Sequence, residues 1–169
     1  KDSEKNIEDA ILINSLFPIL LSRLGDQLNF KLIHVSTDCV FSGKKGNYSE
    51  ISISDAESIY GRSKSLGEFV SQKSLVIRTS IIGPELKTNG SGLFNWFLHQ
   101  TDEVEGYKNA LWTGVTTLEL AKAFETFITL NISGIFHFVS KEKISKYELL
   151  RLIKNIWKKE DLIITPNRD

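Results

Sequence analysis

The sequence predicts an α/β fold: a parallel sheet with helices flanking it. Three observations carry the prediction. Short apolar runs, rich in branched residues, recur at 31–36 (KLIHVS), 75–80 (LVIRTS) and 135–139 (IFHFV), the pattern of strands covered on both faces. Stretches with apolar residues at helical spacing precede and separate them, so the strands are joined by crossovers rather than tight turns. The first run gives out at Ser36-Thr37-Asp38, three side chains better suited to a polar site than to a core, and the C-terminal end of a strand is where open α/β sheets bind ligands.

Each element follows in order. In residues 4–24, Ile7, Ala10, Ile11, Phe17, Leu20, Leu21 and Leu24 recur at helical spacing, with Gly25 placed as a C-cap. Pro18 inside this helix should bend its axis or remove one hydrogen bond. The strand 31–36 follows, and then a polar loop over 42–58 that could cover a pocket. Lys44 and Lys45 in that loop suit a diphosphate, although paired lysines on a glycine-rich turn are usually just solvated.

A helix over about 58–72 carries Tyr60 and Lys64 at i, i+4, on one face and roughly 6 Å apart at Cβ. That geometry suits a phenol acting as proton donor beside an ammonium that lowers its pKa. Leu66, Phe69 and Val70 are expected to supply apolar contacts, while Gly61 and Gly67 permit close backbone approach at a cost in helix propensity. Strands 31–36 and 75–80 should be parallel neighbours joined by this helix.

Beyond the second strand the sequence predicts a mostly helical stretch to about residue 130. SGLFNWFLHQ reads as an apolar helix capped by Ser91, and Thr116 with Glu119 as a capping box. Trp96 and Trp112 could stack a base or sugar ring, though aromatic side chains are more often core. A second capping box, Ser145 with Glu148, opens the last helix. His34, His99 and His137 are far apart in sequence and lack metal-ligand spacing, so no metal is expected. His34 reads as a packed core residue and Cys39 as a small hydrophobe rather than a reactive thiol.

The totals bound the rest. At 169 residues there is room for one domain with a real core. Lys plus Arg (21) balance Asp plus Glu (21), which gives no reason to expect nucleic acid or an anionic membrane as partner. A single Cys fits a reducing, cytoplasmic setting, and no apolar run is long enough to span a bilayer.

STDCVFSG followed by YGRSKSLGE resembles the STDYVFDG…YGxSKxxGE pattern of the extended short-chain dehydrogenase/reductases, and within them the dTDP-4-dehydrorhamnose reductase family. A lone YxxxK is weak among four tyrosines; the hydroxyl turn, its spacing to YGRSK and the following LGE are far more specific. The resemblance implies a partial Rossmann-like sheet with a small substrate-binding lobe. The expected division is 1–80 as the later part of a dinucleotide-binding domain, 81–130 as the lobe, and 131–169 as the last sheet strand and C-terminal helix.

The same resemblance implies NAD(P)H-dependent reduction of the 4-keto group of a nucleotide-linked deoxysugar, with NADP or NAD as cofactor, for cell-surface polysaccharide precursors. Thr37, Tyr60 and Lys64 match the catalytic positions. Tyr60, Lys64, Asn14, Ser80 and Ile81 match cofactor-side positions, and Asp38 and Cys39 substrate-side ones. Asn14, in INSLFPILLS, stands where the family has an asparagine that helps hold the lysine through water. Cys39 and Ile81 depart from the family's aromatics, and WTGVTT lacks the proline of its G-x-P-T turn. These departures touch the identity of the sugar more than the chemistry.

A homodimer is one assembly the resemblance allows. No GxxGxxG phosphate loop occurs in the sequence, so it is expected to be the C-terminal part of a longer protein, inactive alone. Two alternatives stay open: a nucleotide-sugar epimerase or dehydratase of the same fold, and a non-catalytic nucleotide-binding regulatory subunit.

Overall fold

The computed structural model describes residues 2–86, 90 and 92–168. In chain order they form α1 (Asp2–Lys5), α2 (Ile7–Ile11), a π-helical turn (Leu12–Leu16), α3 (Phe17–Leu28), β1 (Leu32–Thr37), a 3-10 turn (Asp38–Val40), α4 (Ile59–Leu66) and β2 (Ser74–Thr79). There follow β3 (Ile81–Ile82), α5 (Leu93–Leu98), β4 (Glu103–Tyr107), β5 (Leu111–Trp112), β6 (Val115–Thr116) and α6 (Thr117–Thr129). The last elements are β7 (Gly134–His137), β8 (Ile144–Ser145), α7 (Lys146–Ile156) and β9 (Ile163–Asn167). By packing the chain divides into two units. The first runs to Thr79 and includes Ala123–Phe138; the second is Ser80–Lys122 with the chain from Val139 onward. The three consecutive segments expected from sequence thus become two discontinuous bodies.

The first unit is organised on a three-stranded sheet of order β1-β2-β7. All pairings are parallel: Leu32 faces Ser74 and Thr37 faces Thr79, while Leu75 faces Gly134 and Arg78 faces His137. The three expected strands and the parallel contact of the first two are therefore present. β2 is central and buried along its whole length, which its Leu75-Val76-Ile77 run suits and which leaves Arg78 in need of a partner. β2 ends at Thr79, so Ser80 falls outside it.

The helical entry differs from the single helix expected. Pro18 has no N–H for the Asn14 carbonyl. The chain meets this with a π-helical turn in which the Phe17 N–H reaches back five residues to the Leu12 carbonyl, and Pro18 then sits in the first turn of α3. α3 continues past Gly25 to Leu28 and is capped by Asn29, left-handed at φ 62°. Gly25 is not the cap. It leaves room for the returning chain, since a β-carbon there would stand 2.9 Å from the Phe30 carbonyl oxygen.

The apolar stripe also lies differently. Ala10, Ser15, Pro18, Ser22 and Gly25 form the buried side, whereas Ile7, Ile11, Phe17, Leu20 and Leu24 are exposed. Small residues are inside because neighbours approach closely there: α4 at Ser15 and Pro18, Ser74 of β2 at Ser22, and the returning chain at Gly25. α4 itself is shorter than the expected 58–72. Ser58 caps it through its hydroxyl, which accepts the Gly61 N–H at 3.1 Å, and it ends at Leu66. Leu66, Phe69 and Val70, expected as packing residues, are exposed.

The second unit is more β-rich than the mostly helical lobe expected. β4 pairs in parallel with β9, β3 in parallel with β6, and β5 antiparallel with β8. Its core is Phe94, Phe97, Val104, Leu149, Leu150, Ile153 and Leu162, so α7 packs with this unit rather than with the sheet. Ser145 and Glu148 form the full capping box, and Thr116 accepts the Glu119 N–H at 3.1 Å. Ser91, the expected cap of α5, lies outside the described residues; Gly92 holds the N-cap position. Among the described residues no helix is long and apolar enough to cross a membrane.

Candidate active site

The site begins where β1 ends. Thr37 is buried at the sheet's C-terminal end, its hydroxyl oxygen accepting the Cys39 N–H at 3.1 Å and its proton directed to Asp38 Oδ1 at 3.2 Å. The turn-capping role of a threonine and its availability as a hydroxyl at the strand end coexist here. α4 brings Tyr60 to the same place, close enough that the Thr37 hydroxyl favours the ionised form of its phenol. Thr37 and Tyr60 thus lie together at the end of the strand.

Lys64 follows one turn on, and its amine donates to the Val35 carbonyl at 2.7 Å. Burial outweighs the expected effect of the ammonium on the phenol. Burial pushes the Tyr60 pKa up, Thr37 pulls it back, and the nearby Cys39 and Asp38 raise it further. Burial likewise lowers the Lys64 pKa, opposed by the carboxylate of Glu68. Both groups are desolvated, and each is thereby pushed toward its neutral form.

Close backbone contact holds α4 in place. A β-carbon on Gly61 would stand 2.2 Å from the Cys39 carbonyl oxygen and 2.8 Å from Ala56 Cβ. One on Gly67 would stand 1.9 Å from the Asn14 carbonyl oxygen, the acceptor that Pro18 leaves without its helical donor. Asn14 also donates through Nδ2 to Ser63 Oγ at 3.1 Å, and the Ser15 hydroxyl donates to the Ser63 carbonyl at 2.7 Å. Asn14 therefore reaches the helix that carries Lys64, at Ser63 and Gly67.

A buried ion pair missed in the sequence reading lies beside these groups. Arg78 and Glu68, with side chains 6% and 4% exposed, pair at 2.7 Å, and the Ser36 hydroxyl donates to the same carboxylate at 2.6 Å. The signal was present: an arginine within a covered strand cannot stay charged without a partner. His34, two residues before Ser36, has a buried Nε2 with no partner among the described residues. Burial and the Lys64 charge lower its pKa to about 4, against the Glu68 charge, so it is neutral near pH 7.

The other candidates are placed as follows. Asp38 and Cys39 are exposed at the turn, with the Cys39 thiol 3.6 Å from Asp38 Oδ1. Lys44 is engaged by Glu57 at the surface. Ser80 and Ile81 belong to the second unit: the Ser80 hydroxyl accepts the Trp112 indole N–H at 2.8 Å, and Ile81 pairs with Val115. Trp112 also carries the Lys146 ammonium over its ring at 5.2 Å and lines a recess of about 600 Å³ with Arg151 and Asn155. Among the described residues, no three His, Cys, Asp or Glu side chains converge as a metal site.

Residues 1–168 match the RmlD substrate binding domain family. The chain is 28% identical over 155 residues to the spore coat polysaccharide biosynthesis protein SpsK of Bacillus subtilis, covering 89% of this chain and 54% of that protein. It is 36% identical over 83 residues to the dTDP-4-dehydrorhamnose reductase of Aggregatibacter actinomycetemcomitans, covering 46% of this chain and 28% of the relative. In fold it resembles the dTDP-4-dehydrorhamnose reductase of Bacillus anthracis solved in complex with NADP, with a TM-score of 0.84, 21% identity, and coverage of 98% of this chain and 60% of that one. The chain thus spans about half the length of the spore coat protein, 54%, and less of the curated reductase.

Proposed function

The chain belongs to the RmlD substrate binding domain family, and from that premise we propose that it forms the proton-donating and sugar-holding part of an NAD(P)H-dependent reductase of nucleotide-linked 4-keto deoxysugars. The observation that carries the reading is Thr37, buried at the C-terminal end of a parallel sheet, with Tyr60 brought beside it by α4 and Lys64 one turn further along that helix.

The cofactor, when bound, supplies a hydride to the sugar's carbonyl carbon. As the carbonyl oxygen gains charge, Tyr60 transfers its phenolic proton to it, giving the alcohol, and Thr37 turns its proton from Asp38 to the same oxygen. The phenolate left on Tyr60 is reprotonated from solvent. Lys64 fits a dinucleotide: an ammonium has three donors, and the Val35 carbonyl takes one. The others suit ribose hydroxyls, and a cation held there favours the phenolate, offsetting the burial that now keeps Tyr60 neutral. Asp38 and Cys39, exposed on the turn, face the sugar in this reading.

The name of the spore coat polysaccharide relative supports a role in making polysaccharide precursors. The test is NADPH consumption by the complete polypeptide bearing this chain, supplied with dTDP-4-dehydrorhamnose. Stoichiometric oxidation of cofactor with reduction of the sugar is expected. Sugar conversion without net cofactor consumption would assign an epimerase, and cofactor binding without turnover a regulatory subunit.

A further inference from the structure

The Thr37 strand and the Tyr60 helix meet at one buried carboxylate. Glu68 lies two residues after the end of α4 and accepts three bonds: Arg78 Nε on Oε1 at 2.9 Å, Arg78 Nη2 on Oε2 at 2.7 Å, and the Ser36 hydroxyl on Oε1 at 2.6 Å. Ser36, Arg78 and His137 stand opposite one another across β1, β2 and β7, so the fork spans the C-terminal ends of all three strands. Arg78 Nη1 extends the network to the Glu50 carbonyl at 3.3 Å and to His137 Nε2 at 3.4 Å, and its guanidinium lies 4.9 Å from the centre of the Phe41 ring.

A buried pair of this kind is weak evidence for stability, because apolar side chains of the same volume often do as well. What it supplies is direction. A two-pronged arginine–carboxylate contact fixes both partners in one plane. Here the carboxylate belongs to the segment leaving the Tyr60 helix, and the hydroxyl it holds is on the residue before Thr37.

We propose that Glu68 and Arg78 are positioning residues: acting through Ser36, they set the Thr37 hydroxyl opposite the Tyr60 phenol. The proposal rests on the reading of Thr37 and Tyr60 as the groups that meet the substrate carbonyl. Ser36→Ala removes one hydroxyl and leaves the ion pair standing, so it tests direction without unfolding the chain. Glu68→Gln keeps the shape and an acceptor for Ser36, and Arg78→Lys keeps the charge but loses the fork.

The experiment measures kcat, KM for sugar and NADPH, and thermal unfolding in the complete polypeptide bearing this chain, for Ser36→Ala, Thr37→Ala and the double variant, with Glu68→Gln and Arg78→Lys beside them. Ser36→Ala should lower kcat by roughly tenfold or more with NADPH KM unchanged, since small misplacements at a reacting centre are expensive. Added to Thr37→Ala it should cost nothing further, because the group it positions is gone. Arg78→Lys should follow Ser36→Ala in kcat.

A Ser36→Ala enzyme with full kcat, or a loss that simply multiplies with that of Thr37→Ala, overturns the positioning role. A Thr37→Ala enzyme with full kcat overturns the functional reading beneath it, and the positioning role with it.

Discussion

The Asn14 carbonyl oxygen stands 1.9 Å from where a β-carbon on Gly67 would be, so the entry helix and the end of the Tyr60 helix meet backbone to backbone. The contact exists because Pro18 frees that carbonyl and Gly67 has no side chain to keep it away. Gly67→Ala should therefore destabilise the protein by about 1–3 kcal/mol, the usual range for overpacking. Urea unfolding checks it: the midpoint should fall with the slope unchanged.

Gly61→Ala sets two effects against each other. Alanine within a helix gains about 1 kcal/mol over glycine. A β-carbon at Gly61 would however stand 2.2 Å from the Cys39 carbonyl oxygen, a backbone atom of the turn that holds Thr37. The clash should win. Net destabilisation is expected, together with a fall in kcat as the hydroxyl turn is displaced; unfolding curves and steady-state rates on the same preparation read both.

His34 makes stability fall on acidification. Its neutral form is favoured in the folded chain, with a pKa of about 4 against 6.5 for the free side chain, because it is partly buried and faces Lys64; Glu68 opposes the shift. The unfolded chain thus binds the proton first as pH falls. The His34 contribution is fully present above about pH 6.5 and is lost as pH falls from there through about 4. Unfolding free energy measured across that window should decline toward acid, and His34→Gln should flatten the decline.

The parts of this molecule that could be read in the sequence are those specified locally. Leu75–Ile77 declares a covered strand by composition, Leu32–Val35 declares a strand that the fold leaves half-buried, and Ser145 with Glu148 declares a helix start. Tyr60 and Lys64 declare a shared face by spacing alone. What was hidden depends on distant partners. β4 finds β9 only some sixty residues later, with Val104 opposite Ile164, and two-residue strands such as β3 and β6 have no pattern to show. The helical apolar stripe of Ile7, Ile11 and Leu20 was legible as a helix, but the buried side is chosen by the small residues that admit α4, β2 and the returning chain. The acidification of Tyr60 by Lys64 followed from proximity, whereas in the folded chain burial outweighs it and dominates both groups.

One substitution tests the central claim most directly. Removing a single oxygen from the phenol beside Thr37, as Tyr60→Phe, takes away the proton donor and leaves Lys64 and the fold untouched. In the complete polypeptide bearing this chain, kcat for the 4-keto sugar should fall by roughly a hundredfold or more while the NADPH dissociation constant stays within about twofold. Unchanged turnover in that variant would mean that the phenol at the end of the sheet delivers no proton.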